Sequence, residues 1–304
     1  MCADETQSHV PVLAQVAVSP ADTLLVVVRA EVESLASLQR ARLIASVLPC
    51  RMIVLVAGPG ADHADWLQPK FDEWQQKSLN FEVRRDTDVD LADAVARVMQ
   101  ECSVGLVIKE VDSQSPARAS SHSWRAPADW QLLRHCPCPV LLVKPSVHWQ
   151  QGRMLAAVTP DHSAEHAELN LAVVALTDFI SRHTQGQLGL ISAYSAVQLG
   201  AESTSGARKS EDCTAHALGL CEKLGIQTPQ LLIGQGPAEH WIPQAVTQAD
   251  AALVVMGSLR RHQFSGALLG NTAERILSYL QADVLVLPVS ACASIRALVT
   301  SSSA

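Results

Sequence analysis

Several groups of residues in this 304-residue chain have types and spacings that could do chemistry. Arg260-Arg261-His262 sets two fixed positive charges and a titratable imidazole side by side, which suits an anionic group as well as plain solvation. His162 and His166 lie four apart on one face of a predicted helix, a spacing that can hold zinc. No third ligand stands near them in sequence, so two surface histidines are the favoured reading. His135-Cys136-Pro137-Cys138-Pro139 brings two thiols close together just before a buried strand. It lacks the C-x-x-C spacing of redox helices and zinc knuckles, which favours core packing. Cys213 and Cys221 share a helix face but stand roughly 12 Å apart by rise, too far to bond. Trp241, on the helix before a strand, also reads as packing. There is no G-x-S-x-G elbow, P-loop lysine motif or H-E-x-x-H. No catalytic residue and no metal site are therefore predicted, and the expected role is non-enzymatic.

The elements that must position these residues are legible in the hydropathy pattern. Short β-branched runs alternate with longer amphipathic stretches, and strands apolar on both faces belong to parallel sheets covered by helices on each side. In the first half the strands are predicted at 24–28, 52–56, 81–84, 104–108 and 140–143, with helices at 35–48, 64–76, 91–102 and 129–136. The second half repeats the list, with strands at 155–158, 188–192, 230–232, 252–256 and 284–287. Its helices are predicted at 164–183, 211–224, 238–247 and 272–280. Val28 and Val158 are 130 apart, Val107 and Val254 are 147, and Val140 and Val284 are 144, a steady internal repeat. The predicted fold class is α/β, two tandem doubly wound parallel five-stranded sheets. The units span residues 20–146 and 152–290, joined by a linker at 146–152 too brief to let them move apart.

Composition bounds the partners. Hydrophobic residues make up 48% of the chain and charged residues 17%, enough to bury two cores. A formal net charge of -7 offers no diffuse attraction to nucleic acid or anionic membrane, so neither is an expected partner. The eight cysteines lie mostly in apolar segments and read as reduced thiols. The N-terminus has no basic region followed by an apolar run, and no segment approaches about 18 uninterrupted apolar residues. The cytoplasm is the expected compartment.

Five stretches carry a family resemblance. Val254-Val255-Met256-Gly257-Ser258-Leu259-Arg260, Gly266 through Leu277, and Ala282-Asp283-Val284-Leu285-Val286-Leu287-Pro288 resemble the C-terminal signature of the universal stress protein family. The run Pro127 to Pro137, with Pro139-Val140-Leu141-Leu142-Val143-Lys144, is similar to the tandem type E subgroup. The resemblance covers residues 23 to 289, in these stretches by motif and elsewhere by pattern. It implies strand order 3-2-1-4-5 in each half, an adenine nucleotide alpha hydrolase-like fold, and a fused pseudo-dimer able to form a homodimer.

The resemblance also implies a site. Nucleotide-binding members carry G-x2-G-x9-G-[S/T], in which glycines let backbone amides approach phosphate and a helix N-terminus faces it. The matching positions are Gly257, Arg260, Gly270 and Asn271, with Ser258 after the first glycine. Arg260 replaces a glycine and Asn271 the hydroxyl residue, while Asn271 can still cap the helix and Thr272 supplies a hydroxyl. Such members place an Asp after the first strand; here Arg29 and Thr159 stand there, and Asp161 either substitutes or caps the next helix. The first half has no glycine from Lys109 to Trp130, so a small anionic ligand, with ATP as the candidate cofactor, is expected in the second half only. The expectation is stress resistance through ligand or partner binding. The alternatives are an ATP-binding switch or weak ATPase, and a structural pseudo-dimer scaffold.

Overall fold

The computed structural model describes residues 23–88, 90–111, 128–145, 147–161, 163–194, 205–227, 229–258 and 280–301. In the first half the chain runs β1 (Thr23–Arg29), α1 (Ala36–Ala45), β2 (Arg51–Ala57), α2 (Gln68–Gln76), β3 (Phe81–Asp86), α3 (Leu91–Glu101), β4 (Leu106–Glu110), α4 (Ala128–His135) and β5 (Val140–Val143). The second half runs β6 (Arg153–Ala157), α5 (Ala164–His183), β7 (Gln187–Tyr194), α6 (Ser205–Lys223), β8 (Gln230–Gln235), α7 (Ala238–Gln248), β9 (Ala251–Ser258), β10 (Asp283–Pro288) and α8 (Cys292–Ser301).

The strands form where β-branched and leucine side chains can be buried on both faces. Along β1, Leu24, Val26 and Val28 enter one core layer while Leu25 and Val27 enter the other. β2 divides in the same way, Met52, Val54 and Val56 against Ile53, Leu55 and Ala57. This alternation is the two-residue period of a strand read from both sides. Helices begin where local chemistry permits. The Asp90 carboxylate accepts from the amides of Ala92 and Asp93, and α3 then lays Leu91, Ala94, Val95 and Val98 on the sheet.

Within each half the order is 3-2-1-4-5, as the resemblance implied, but the two halves are not separate sheets. They join in one ten-stranded sheet of order β3-β2-β1-β4-β5-β10-β9-β6-β7-β8. All described pairings are parallel except β5 with β10, where Leu141 faces Leu285 antiparallel. The expected pair of five-stranded sheets is corrected accordingly. Each half would otherwise leave a flat apolar edge strand with unpaired amides, and pairing the two edges satisfies both. α8 was not predicted, and the predicted helix at 272–280 falls almost entirely outside the described residues. The others agree within a few residues, except that α6 starts at Ser205 rather than 211.

Candidate functional site

In a doubly wound sheet the crevice lies at the carboxyl ends of the two strands where the order reverses, here β1 with β4 and β6 with β9. The first-half crevice holds a cavity of about 230 Å³. Arg29 enters it from the end of β1, and Lys109 and Glu110 from the end of β4. Ser34 comes from the loop before α1 and Ser37 from its first turn. Arg29 lies 3.6 Å from the Glu31 carboxylate, and that carboxylate covers Gly58, where a Cβ would stand 2.8 Å from it.

Lys109 is 1% exposed, a charge buried after Val107 and Ile108 in a strand that ends on Glu110. Its ammonium donates to Asp129 Oδ1 at 2.6 Å and to the Glu110 carbonyl at 2.7 Å. Burying an ammonium requires such partners, and α4 supplies the carboxylate from its first turn. Ser37 differs. It is 3% exposed, and its hydroxyl has no hydrogen-bond partner among the described residues. It occupies the second position of α1, whose first amide, that of Ala36, donates to Ser34 Oγ at 3.4 Å, and with Ser34 and Ser37 in its lining the crevice lies at the positive end of a ten-residue helix.

The second-half crevice is built differently. Gly257 and Ser258 close β9, but the space beside Gly257 is filled by Leu169 of α5, whose Cδ2 would stand 2.3 Å from an added Cβ. The glycine therefore serves close packing of helix on strand. Thr159 has its amide and carbonyl both tied to the Asn170 side chain, at 3.2 and 2.8 Å. Asp161 Oδ1 accepts the Ser163 amide at 2.8 Å, and its other oxygen is 3.4 Å from His166 Nδ1. Its carboxylate thus shapes the turn into α5. Arg260, Gly270, Asn271 and Thr272, and also His162, lie outside the described residues.

The remaining constellations sit in packed surroundings. Cys136 Sγ lies 3.4 Å from Cys138 Sγ and 3.7 Å from Met99 Sδ, with both cysteines buried in the core between α3, α4 and the sheet. The hydrogen bond with the Cys136 thiol, and then burial, push the Cys138 pKa upward, which keeps it a thiol. Cys213 and Cys221 are buried on α6. The Trp241 ring covers Gly234, where a Cβ would come within 2.0 Å of it. Sequence reasoning missed Ser37 and Lys109. Lys109 had a signal, a lysine directly after Leu106-Val107-Ile108, but Ser37 had none.

Fold and crevices define a tandem doubly wound α/β protein, and comparison with known proteins gives the family. Residues 156–288 match the model of the universal stress protein family. Universal stress protein E of Photorhabdus laumondii is 33% identical over 177 residues, 53% of this chain and 55% of that protein. A homolog of universal stress protein E from Haemophilus influenzae is 28% identical, over 73% of this chain and 74% of its own. The match thus spans about half the length of the first relative and three quarters of the second. A crystal structure assigned to the universal stress proteins, from Pseudomonas aeruginosa UCBPP-PA14, superposes with a TM-score of 0.73. It is 31% identical, over 92% of this chain and 98% of its own. The chain belongs to the universal stress protein family. Among the described residues, no helix is long and apolar enough to cross a membrane.

Proposed function

We propose that the protein works in the stress response by binding a small anionic ligand rather than by turnover, and that the first-half crevice holds the anion. The observation that carries this is Ser37, a buried hydroxyl without a partner among the described residues, lining the same cavity as Arg29. A buried hydroxyl without a partner costs free energy, and a ligand oxygen would supply one. The α1 N-terminus adds amides and a positive dipole end, the arrangement that receives phosphate in many folds.

The loop from Gly257 and Ser258 through Arg260, Gly270, Asn271 and Thr272 is proposed as a second anion-binding segment, with ATP as its candidate ligand. Its support is the family motif. The two units, 20–146 and 152–290, would then act as a pseudo-dimer with dissimilar crevices. Calorimetric titration with inorganic phosphate and with ATP tests both. Weakening by Ser37→Ala and Arg29→Gln, with Gly270→Val neutral, supports the first crevice. The reverse pattern moves the site to the second half, and no binding at millimolar ligand removes the proposal.

A further inference from the structure

At the opposite, amino-terminal end of the first-half strands lies a second cavity, of about 370 Å³, between the two halves. Its floor is Leu24, Leu106, Leu141 and Leu285, one from each of β1, β4, β5 and β10. These strands are consecutive in the sheet, so the floor runs about 14 Å, three strand spacings. Helices wall it: Ile44 from α1, Phe179 from α5 and Leu298 from α8. Trp149 closes it at the junction.

Size and shape restrict the occupant. A partner strand finds no free backbone, because all four floor strands are paired on both sides. A volume of this size spread along such a floor fits one narrow, flexible, apolar chain.

The rim restricts the head group. Among the described lining residues there is no Lys, Arg, Asp or Glu, and the polar ones are Cys50, His183 and Thr184. Thr184 Oγ1 donates to the Ile180 carbonyl at 2.9 Å, and His183 Nδ1 donates to the Phe179 carbonyl at 2.8 Å. Both sit at the C-terminal, electronegative end of α5, which disfavours a carboxylate. We infer that this cavity is a binding site for a single unbranched alkyl chain with an uncharged head group, of the fatty-alcohol or acyl-ester class. It is distinct from the anion crevice and does not depend on it.

A series of 1-alkanols from hexanol to tetradecanol, titrated calorimetrically into the full chain, tests this. Each added methylene should tighten binding about fourfold, the equivalent of 0.8 kcal/mol. The gain should stop at roughly dodecanol, when the floor of about 14 Å is covered. Leu48→Trp and, independently, Leu298→Trp at the half-buried rim should weaken dodecanol tenfold or more, with unchanged circular dichroism. Dodecanoate should bind more weakly than dodecanol. Affinity independent of chain length, affinity untouched in both tryptophan variants, a carboxylate as tight as the alcohol, or no binding at all would overturn the inference.

Discussion

Trp149 and Asp283, 134 residues apart in sequence, meet at the junction of the two halves, where the indole N–H donates to Asp283 Oδ2 at 2.8 Å. Asp283 opens β10 and is 0% exposed. The same carboxylate accepts Arg40 Nε at 2.6 Å and the Lys144 amide at 2.7 Å. The Arg40 guanidinium lies 5.2 Å from the Trp149 ring and also donates to the Val147 carbonyl, so one α1 side chain grips both the linker and the second half. Burial raises the Asp283 carboxyl above its ordinary value, opposed by Arg40, the Lys144 amide and Trp149.

Removing the Asp283 carboxylate leaves Arg40 charged and buried. Asp283→Ala is expected to cost about 3–5 kcal/mol, the range for breaking one partner out of a buried pair. Urea unfolding followed by circular dichroism measures it, and a loss under 1 kcal/mol would show that the junction does not depend on this residue.

Lys109 and Asp129 form a second buried pair with the same logic. Lys109→Met should destabilise by about 3–5 kcal/mol, whereas Lys109→Met with Asp129→Leu should recover most of that loss, because both charges are then gone. Thermal unfolding of the single and double variants decides it. A double variant worse than the single would mean that the pair is not what holds Lys109.

Gly257 separates packing from ligand binding. A Cβ there would overlap Leu169, so Gly257→Ala should cost about 1–3 kcal/mol through overpacking. Adding Leu169→Ala should relieve the overlap, seen as a smaller cost for Gly257→Ala in that background. Equal cost in both backgrounds would assign the glycine another role.

Acid stability should depend on Glu73. Its carboxyl lies at about 2, lowered from 4.5 chiefly by hydrogen bonds from Lys70 and Lys77, with burial pulling the other way. A folded value below the unfolded one contributes stability that is present above about pH 4.5 and lost as pH falls toward 2. Glu73→Gln should flatten the stability profile across that window. Because the group is only partly buried, the effect should also shrink in high salt. An unchanged slope in Glu73→Gln would place the acid sensitivity elsewhere.

Much of this was readable before any fold was known. The strands at 24–28 and 52–56 were visible because both faces of each are apolar. α5 was visible in full, because a 20-residue stretch without Pro or Gly follows the Asp161 turn. Lys109 was missed although it follows Leu106-Val107-Ile108, and its partner Asp129 could not be named, because the contact bridges 20 residues and depends on where α4 lands. α8 was missed because Cys292–Ser301 follows the last expected strand, and only its packing against α5 gives it a place.

The sequence by itself determined the α/β class, the internal repeat and the family, because hydropathy period and motif are local properties of the chain. Tertiary structure alone decided three things. The halves share one sheet, since whether two apolar edge strands meet depends on the relative placement of the halves. Gly257 faces Leu169, since a missing Cβ is filled only by whatever packs above it. Ser37 is a buried hydroxyl left without a described partner, as is Ser192 on β7, since satisfaction of a polar group is a property of its surroundings and not of its residue type.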